Sequence, residues 1–532
     1  MKLRLSVYLA KKTATAVDQL LNLERVKPPV EIPLEDARAY LFIKQDSEPQ
    51  IPEWATLFFV AKPDLDVDIF GRNSSTGAVL LIDYQKERFV IPFGTGYHLI
   101  NDNYIVKEFG LKTTLNAIAQ NKIRSLDKGN HNEMNLLTRS QSTKEVTIQN
   151  LKIDSELDIL TTLTGMCTEN LLGDKVTGRD ALVITPEICF KDITYLLDKI
   201  IEVYRRPLPG EFEWINNIKQ ADDDEIDILD LELIDAINSG DTIDIVLGEP
   251  EIVDWERQRG YCFERRSNSP IYSVIALEHF IKHCKLKKID INIDVLKNKC
   301  IYTLDDQNES INSWSIYRCL YAEIKNGDRS YILRNGVWYC ADRDFLLLVD
   351  NAINQISIYE DQTSLPLYSF EYEEDYIRDV CKKDSSFTLM DKNMIQHGGG
   401  HSRVEFCDII KDDDTFIHIK YYSGSQSMSH LFSQGFISAE LFVGDKEFRK
   451  KLHDKLPKFF KSEYESRPNT NDYKIVFAIA SNNDLPKSLP IFSKINLKNF
   501  HRQLTNLGYN VSICRIPIDD IILKKKIYRS KK

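Results

Sequence analysis

The sequence predicts a multidomain protein of the mixed α/β (α+β) class. The chain has 532 residues, of which 42% are hydrophobic, so it can bury several cores and is expected to form two to four domains. Short apolar runs of β type alternate with segments of helical spacing along the chain. In the last third, this alternation predicts an α/β sandwich around a mixed sheet.

Residues 1–150 are predicted to form an N-terminal mixed α/β domain. The runs GAVLLIDY and ERFVIPFG have β character and are separated by a short polar turn, and a segment of helical spacing follows them. The Gly-rich FGTGYH at 93–98 lacks the spacing of a phosphate-binding loop. This motif therefore favours a tight turn, and a nucleotide site is the weaker alternative.

Residues 151–365 are predicted to form a middle α/β domain. The acidic segment 222–256 has Ile and Leu interleaved with its acids, which indicates a folded acidic face rather than a disordered tail. Farther on, Asn335 and Gly336 lie between two apolar β-type runs, a pattern typical of a two-residue hairpin turn.

Residues 366–532 are predicted to form the third domain. EYEEDYIRDVCKKDS has helical spacing, and DYKIVFAIASN is typical of a strand covered on both faces of a sheet. A helix near NLKNFHRQLTNLGY and a strand at YNVSICRIPI complete the alternation.

Composition narrows the functional classes. A net charge of −11 argues against a protein coated with nucleic acid, but leaves room for a local basic groove. The ten cysteines form no CxxC pair, which argues against structural zinc, and no apolar run reaches the length of a membrane span or a secretory signal. We expect reduced thiols and a cytoplasmic protein with no membrane contact. The motifs GxSxG, HExxH, the P-loop and the kinase signatures are absent from the sequence.

The segment 397–441 carries the strongest functional signal. It predicts a Gly-rich turn, a strand that ends in Asp408, an Asp-rich turn, and a second strand that carries His418 and Lys420. A polar loop and a helix containing Gln434 follow. Period-two geometry places residues 418 and 420 on one face of their strand, and Asp408 could face them across the ladder.

This layout suits metal-dependent phosphodiester hydrolysis, which needs a cation, an activated water and charge stabilisation. Asp408 would bind Mg²⁺ or Mn²⁺, and Lys420 would orient or deprotonate the water or stabilise phosphate charge. Gln434 could hold the site or contact the phosphate. Glu373 or Glu374, on the preceding helix, could add a metal-binding carboxylate.

The motifs FGTGYH, EFGLKTTLN, LTG, NGVWY, VEFCD and HIKYYSGSQSMSHLFSQG resemble the prokaryotic family DUF6119, from about residue 55 to 480. That family has no assigned activity, and its occurrence near mobile and restriction-type loci implies a role in conflict with phage or foreign DNA. The last third also resembles the PD-(D/E)XK nucleases, which implies a restriction-endonuclease-like sandwich. In that pattern Asp408 matches the strand acid, Lys420 the lysine, Gln434 the helix glutamine, and Glu373 or Glu374 the helix acid.

The departure from the nuclease pattern is His418, where an acid or glutamine is expected. A neutral imidazole can bind a transition metal but supplies no negative charge for Mg²⁺. Three options stay open: Mn²⁺ or a softer ion is used, Glu405 or a helix glutamate enters the site, or the domain binds nucleic acid without cutting it. Glu405 would lie opposite Asp408 on a regular strand, so its entry would need a bulge.

Each site residue also has a structural interpretation. Asp408 could be a turn acid, His418 a core histidine and Lys420 a solvated strand end, while His397–His401 favours a flexible turn over a His/His metal site. The leading hypothesis is a metal-dependent nuclease in antiviral defence that acts on nucleic acid, with DNA favoured over RNA. The alternative is an inactive nuclease fold that binds nucleic acid or acts as a scaffold. A third hypothesis is an interaction protein that docks its partner on the acidic segment 222–256. A homo-oligomer or a complex with a defence-system partner protein is compatible with each.

Overall fold

In the computed structural model of the chain, the described residues are 4–45, 51, 58–59, 62–72, 74, 76–130, 136–253, 255–256, 258–264, 269–305, 310–327, 329–361, 365–397, 403–456 and 464–524. Within these ranges no helix combines the length and the apolar character that crossing a bilayer requires. All ten cysteines are free thiols.

The N-terminal region is built on a ten-stranded antiparallel sheet. Its strands are β1 (Leu5–Leu9), β2 (Val30–Leu34), β3 (Ala37–Ile43), β4 (Gly77–Tyr84), β5 (Glu87–Gly94), β6 (Ile118–Asn130), β7 (Leu136–Val146), β8 (Asp158–Cys167), β9 (Lys175–Gly178) and β10 (Leu182–Ile184). Their order in the sheet is β2-β3-β4-β5-β1-β10-β9-β8-β6-β7. The helices are α1 (Val17–Leu20), α2 (Phe109–Ala117) and α3 (Ile193–Arg205). Because β8 pairs with β6 and β10 with β1, this sheet runs past residue 150, the boundary chosen from sequence.

The middle region holds two smaller sheets. Its strands are β11 (Ile218–Gln220), β12 (Ile245–Leu247), β13 (Gly260–Cys262), β14 (Cys300–Leu304), β15 (Ser310–Ser315), β16 (Leu320–Asn326), β17 (Arg329–Arg334) and β18 (Val337–Ala341). They form a five-stranded sheet, β11-β18-β17-β16-β12, and a three-stranded sheet, β13-β14-β15. The helices are α4 (Asp223–Ser239), α5 (Leu277–Lys287), α6 (Ile293–Asn298), α7 (Ile316–Cys319) and α8 (Arg343–Asn354).

Two sequence predictions in this region are confirmed. Asn335 and Gly336 join β17 to β18 with φ values of 48° and 72°, the left-handed conformation that a two-residue hairpin turn needs at both positions. The acidic segment is folded, because α4 packs Leu229, Leu233 and Ile237 into the core of this region.

The C-terminal region is organised around a six-stranded mixed sheet. The strands of this region are β19 (Ser357–Ile358), β20 (Phe387–Leu389), β21 (Ile395–Gln396), β22 (Arg403–Val404), β23 (Ile409–Lys411), β24 (Thr415–Tyr421), β25 (Lys474–Ala480) and β26 (Asn510–Ile516). Strands β21 and β22 form a separate two-stranded ribbon, and the other six form the mixed sheet. The sheet order is β19-β26-β25-β24-β23-β20, in which β24, β25, β26 and β19 are parallel and β23 and β20 run antiparallel to their neighbours. The mixed sheet predicted from sequence is therefore confirmed.

Helices cover both faces of this sheet. They are α9 (Glu373–Lys383), α10 (Ser425–Gly444), α11 (Lys446–His453) and α12 (Ile491–Asn506). Helix α9 packs Tyr376 and Ile377 against Ile417 of β24, and α10 packs Phe432 against Phe416 and Phe477 on the other face. Strand β24 is therefore buried on both sides, with alternate residues facing α9 and α10.

The strand predicted to end in Asp408 instead begins after it, at Ile409. Residues 405–408 have no regular secondary structure and lie between β22 and β23. The turn at 412–414, strand β24 and the helix that carries Gln434 are placed as the sequence predicts. Of the predicted His397–His401 turn, residues 398–401 lie outside the described residues.

Candidate active site

Asp408 lies at the entrance to β23 and is buried, with 6% of its surface exposed. Its backbone amide donates to the carbonyl of Ile417 at 3.1 Å, and its Oδ2 accepts a hydrogen bond from the amide of Ile419 at 2.6 Å. The side chain therefore replaces a backbone partner at the point where the β23–β24 ladder ends. This double attachment fixes the carboxylate beside β24.

Asp391 reaches Asp408 through a tight turn after β20. The amides of Met390 and Asp391 both donate to the carbonyl of Asp408, at 2.9 and 3.0 Å. The amide of Asn393 closes the turn on the carbonyl of Met390 at 2.9 Å, and Lys392 takes a left-handed φ of 60°. The turn places the Asp391 carboxylate next to that of Asp408.

Glu405 enters the same group because residues 405–408 are not a regular strand. Its Oε1 accepts the amide of Lys392 at 2.6 Å, and its Oε2 accepts Nε2 of Gln434 at 2.7 Å. A regular strand would have put Glu405 and Asp408 on opposite faces. The irregular backbone of residues 405–408 thus places Glu405 beside Asp408, which is one of the options that the sequence left open.

Asp391, Glu405 and Asp408 each offer an oxygen within 4.8 Å of the others. At that separation two charged carboxylates repel each other by about 3.5 kcal/mol or more at an effective dielectric constant of about 20. Burial raises the pKa of Asp408 well above its usual value, and the charges of Glu405, Glu373 and Asp391 raise it further. Burial and Glu405 also raise the pKa of Asp391. A divalent cation would relieve this repulsion, and an all-oxygen set suits a hard ion.

Lys420 and Glu373 stand at the end of β24 beside the three acids. Lys420 Nζ donates to Glu373 Oε1 at 2.8 Å, and the amide of Tyr421 donates to Glu373 Oε2 at 2.7 Å. Glu373 is close enough to Asp408 to raise its pKa. The lysine is thus held at the acidic group by a carboxylate that belongs to the same electrostatic cluster.

His418 lies outside the cluster of Asp391, Glu405 and Asp408. Only 1% of its surface is exposed, and it packs against Phe477 and close to Gly435 of α10, where the absence of a side chain leaves room for the ring. Its Nδ1 has no hydrogen-bond partner in the described part of the chain, and burial lowers its pKa to about 3. The structure therefore places this histidine, uncharged, in an apolar layer, and not among the clustered carboxylates.

Glu374 is not one of the three clustered carboxylates, although its charge also raises the pKa of Asp391. It forms ion pairs with Arg378 and Lys392, both of which are largely exposed. Its neighbour Glu373 is the helix acid that the geometry brings toward Asp408. His397, the described end of the predicted Gly-rich turn, lies 3.7 Å from Asp445 and stacks edge-on against Phe448.

The structure thus brings together four of the residues singled out from sequence: Asp408, Lys420, Gln434 and Glu373. It adds Asp391, which the sequence analysis missed. The available signal was an acid placed directly after a short apolar strand, in TLMDKN. That signal is weak, because the approach of Asp391 depends on hydrogen bonds to a residue 17 positions away (408 − 391).

The comparison with known families assigns the chain. Residues 5–517 match the model of DUF6119, a family of unknown function. The chain belongs to DUF6119. Searches of curated proteins and of solved structures each found no match.

The DUF6119 match covers all three structural regions, and the acidic site lies within the matched residues. VEFCD supplies Glu405 and Asp408, and HIKYYSGSQSMSHLFSQG supplies Lys420 and Gln434. Two of the segments by which the sequence resembles the family therefore meet at this site.

Proposed function

We propose that this DUF6119 protein is a metal-dependent nuclease whose active site is the group Asp391, Glu405 and Asp408. The observation that carries the proposal is the approach of their three carboxylates to within 4.8 Å beside Lys420. Two half-buried carboxylates this close to the buried Asp408 are costly unless a cation joins them, and perturbed pKa values cluster at functional sites.

In this proposal the three carboxylates hold Mg²⁺ or Mn²⁺, which when bound would polarise a phosphodiester. Lys420 contributes positive charge where negative charge develops on the phosphate. Glu373 positions the ammonium group through its 2.8 Å hydrogen bond, and Gln434 positions Glu405. The set consists of the strand acid, the lysine, the helix glutamine and the helix acid of a PD-(D/E)XK-type site, with Glu405 and Asp391 in place of an acid at position 418.

The proposed substrate is nucleic acid, with DNA favoured over RNA. A cytoplasmic role in antiviral or restriction-type defence, alone, as a homo-oligomer or with a partner protein, belongs to the same proposal. It rests on the resemblance to DUF6119 and on the chemistry of the acidic site.

A second function is a non-catalytic one, in which the domain binds nucleic acid without cutting it or serves as a scaffold. The burial of an uncharged His418 favours it, because the strand then lacks the acid that would pair with Lys420. Under this alternative, binding should weaken steeply with salt and no metal should produce cleavage.

The experiment compares Asp408→Asn with Asp412→Asn in the full-length protein. Both changes remove one carboxylate on the same hairpin, but Asp412 is exposed in the turn at a φ of 49°, which asparagine tolerates. Labelled double-stranded DNA, single-stranded DNA and RNA are incubated with Mg²⁺, Mn²⁺ or EDTA. We expect metal-dependent cleavage by the wild type and by Asp412→Asn, and its loss in Asp408→Asn.

Thermal melting separates loss of function from loss of fold. Because Asp408→Asn removes a buried charge repelled by its neighbours, this variant should melt in EDTA at least as high as the wild type. Added Mn²⁺ should raise the melting temperature of the wild type and not of Asp408→Asn. Equal cleavage by both variants would exclude the proposed site, and salt-sensitive binding without cleavage would establish the second function.

A further inference from the structure

A cavity of about 420 Å³ lies between the N-terminal sheet and the five-stranded sheet of the middle region. One wall comes from Tyr8 on β1 and Thr161 on β8, and the other from Arg334 on β17 and Tyr339 on β18. Its volume falls in the range typical of small-molecule sites. The acidic cluster of the C-terminal region contributes no residue to it.

Arg334 is the unusual group in this wall. Only 1% of its surface is exposed, and Nη1 donates to the carbonyl of Gly129 at 2.9 Å. Nε and Nη2 have no hydrogen-bond partner in the described part of the chain. These two nitrogens form one edge of the guanidinium group, the edge that binds two oxygens of a phosphate or carboxylate side by side. Leaving both unbonded costs free energy, which an oxyanion would recover.

The other charges of the wall are already neutralised. Four of its five carboxylates bind a basic side chain, at 2.5–3.0 Å, in the pairs Asp102–Arg318, Asp127–Arg139, Asp180–Lys107 and Glu251–Arg179. The fifth, Glu108, accepts hydrogen bonds from Tyr339 and Gln220, and burial raises its pKa. Lys128 pairs with Asp158. Arg334 is thus the one cation of the described wall for which no carboxylate partner is found.

Aromatic side chains complete the cavity. Tyr97 and His98 lie with ring centroids 3.9 Å apart, and Tyr97 is 53% exposed. Both belong to FGTGYH, in which Gly94, at a φ of 55°, makes the tight turn that the sequence predicts. NGVWY supplies Asn335 and Tyr339, and EFGLKTTLN supplies Glu108. Segments that carry the family resemblance but play no part in the acidic site therefore converge here.

We propose that this cavity binds a nucleoside monophosphate-sized ligand, with its phosphate on Arg334 and its base against the Tyr97–His98 pair. Aromatic rings stack on bases of any sequence, and an arginine fork is suited to phosphate. The sequence presented a tight turn and a nucleotide site as alternatives for FGTGYH at 93–98. In this proposal the segment forms the tight turn and also contacts the nucleotide. This site does not depend on the proposed nuclease function.

The test measures binding of AMP, GMP, CMP and UMP to the full-length protein by titration calorimetry and thermal melting, in EDTA so that metal at the acidic cluster plays no part. Adenosine and inorganic phosphate are the partial ligands. The matched variants are Arg334→Lys and Arg329→Lys, at the two ends of β17; Arg329 is 58% exposed on its side chain and pairs with Glu225.

We expect at least one monophosphate to bind, to raise the melting temperature, and to bind at least about tenfold more weakly to Arg334→Lys, because lysine cannot form the two-point contact. Arg329→Lys should bind like the wild type. Should Arg334→Lys fail to fold, Tyr97→Ala at the exposed rim should weaken monophosphate binding and leave phosphate binding unchanged. The proposal is overturned if no monophosphate binds the wild type, if adenosine binds as well as AMP, or if Arg334→Lys binds unchanged.

Discussion

Gln434 Nε2 donates a hydrogen bond to Glu405 Oε2 at 2.7 Å, and this contact ties helix α10 to the acidic cluster. The other oxygen of Glu405 accepts the amide of Lys392 at 2.6 Å. Two neutral donors therefore orient a carboxylate without cancelling its charge, so Glu405 stays available to a cation. This is the arrangement expected of a group that supports a metal ligand from outside the coordination shell.

Gln434→Met should weaken metal binding rather than abolish it. Loss of a supporting hydrogen bond of this kind typically lowers metal affinity about 10–100-fold. Calorimetric titration with Mn²⁺ measures the affinity, and cleavage should recover at high metal concentration. Gln149→Met, an exposed change in the N-terminal region, is the control. Unchanged Mn²⁺ affinity in Gln434→Met would remove Gln434 from the site.

Lys420→Met separates metal binding from chemistry. Because Lys420 stabilises phosphate charge in the proposed mechanism, its loss should slow single-turnover cleavage about 10²–10³-fold. The rise in melting temperature with Mn²⁺ should persist, since the three metal-binding carboxylates remain. Lys383→Met, which breaks a surface pair with Asp379 at the far end of α9, serves as the control. Wild-type cleavage by Lys420→Met would show that the lysine has no catalytic role.

His418→Leu tests whether the buried histidine has a structural role alone. Burial lowers the pKa of His418 from an ordinary 6.5 to about 3. Between pH 6.5 and about 3, His418 is therefore protonated in the unfolded chain and neutral in the folded chain. The contribution of His418 to stability is thus lost as the pH falls from about 6.5 toward 3. Leucine should remove that loss and leave metal-dependent cleavage in place.

Urea unfolding at pH 7 and pH 4.5 measures the effect. The stability difference between the two pH values should be smaller in His418→Leu than in the wild type, and unchanged in His430→Leu, which replaces an exposed histidine on helix α10. A folded His418→Leu that no longer binds Mn²⁺ would instead identify His418 as a ligand.

The sequence was informative where local rules decide the structure. The NG turn at 335–336, strand β24 and helix α10 follow from turn chemistry and periodicity, and they fix the positions of Lys420 and Gln434. Asp408 was also identified, although the strand predicted to end at Asp408 instead begins after it, at Ile409.

The other parts of the site depend on contacts between distant segments. Asp391 is placed by amide bonds to the carbonyl of Asp408, and Glu405 by irregular backbone that no periodicity reveals. The two-residue repeat of a strand placed His418 on the same face as Lys420. Because helices cover both faces of β24, this repeat does not distinguish a residue of the core from a residue of the site. The long lysine side chain reaches Glu373 of α9, while the shorter histidine stays under α10.

Glu323 of β16 joins the middle region to the C-terminal sandwich. Its Oε1 accepts the amide of Ile491, the first residue of α12, at 2.5 Å, and its Oε2 lies 3.5 Å from the hydroxyl of Ser425, the first residue of α10. Asp244 accepts the amide of Ser425 at 3.2 Å. Two acids of the middle region thus meet the N-termini of two helices of the sandwich.

Burial raises the pKa of Glu323 to about 8, and the charge of Asp244 raises it further against the lowering effect of Ile491, Ser425 and Lys325. Between the ordinary value of 4.5 and about 8, the folded chain keeps a proton that the unfolded chain has released. The free energy of unfolding should therefore fall as the pH rises through this window. Glu323→Gln, which stays neutral, should reduce that slope by about one proton.

Chemical denaturation at half-unit steps from pH 5 to pH 8 gives the slope. Glu278→Gln, an exposed glutamate in the first turn of α5, makes the same substitution near a helix N-terminus and should leave the slope unchanged. Because glutamine can still accept the amide of Ile491, Glu323→Gln should fold and gain stability relative to the wild type toward pH 8. A slope equal to that of the wild type would mean that Glu323 is ionised in the folded protein and stabilised by the two helix N-termini, rather than protonated between them.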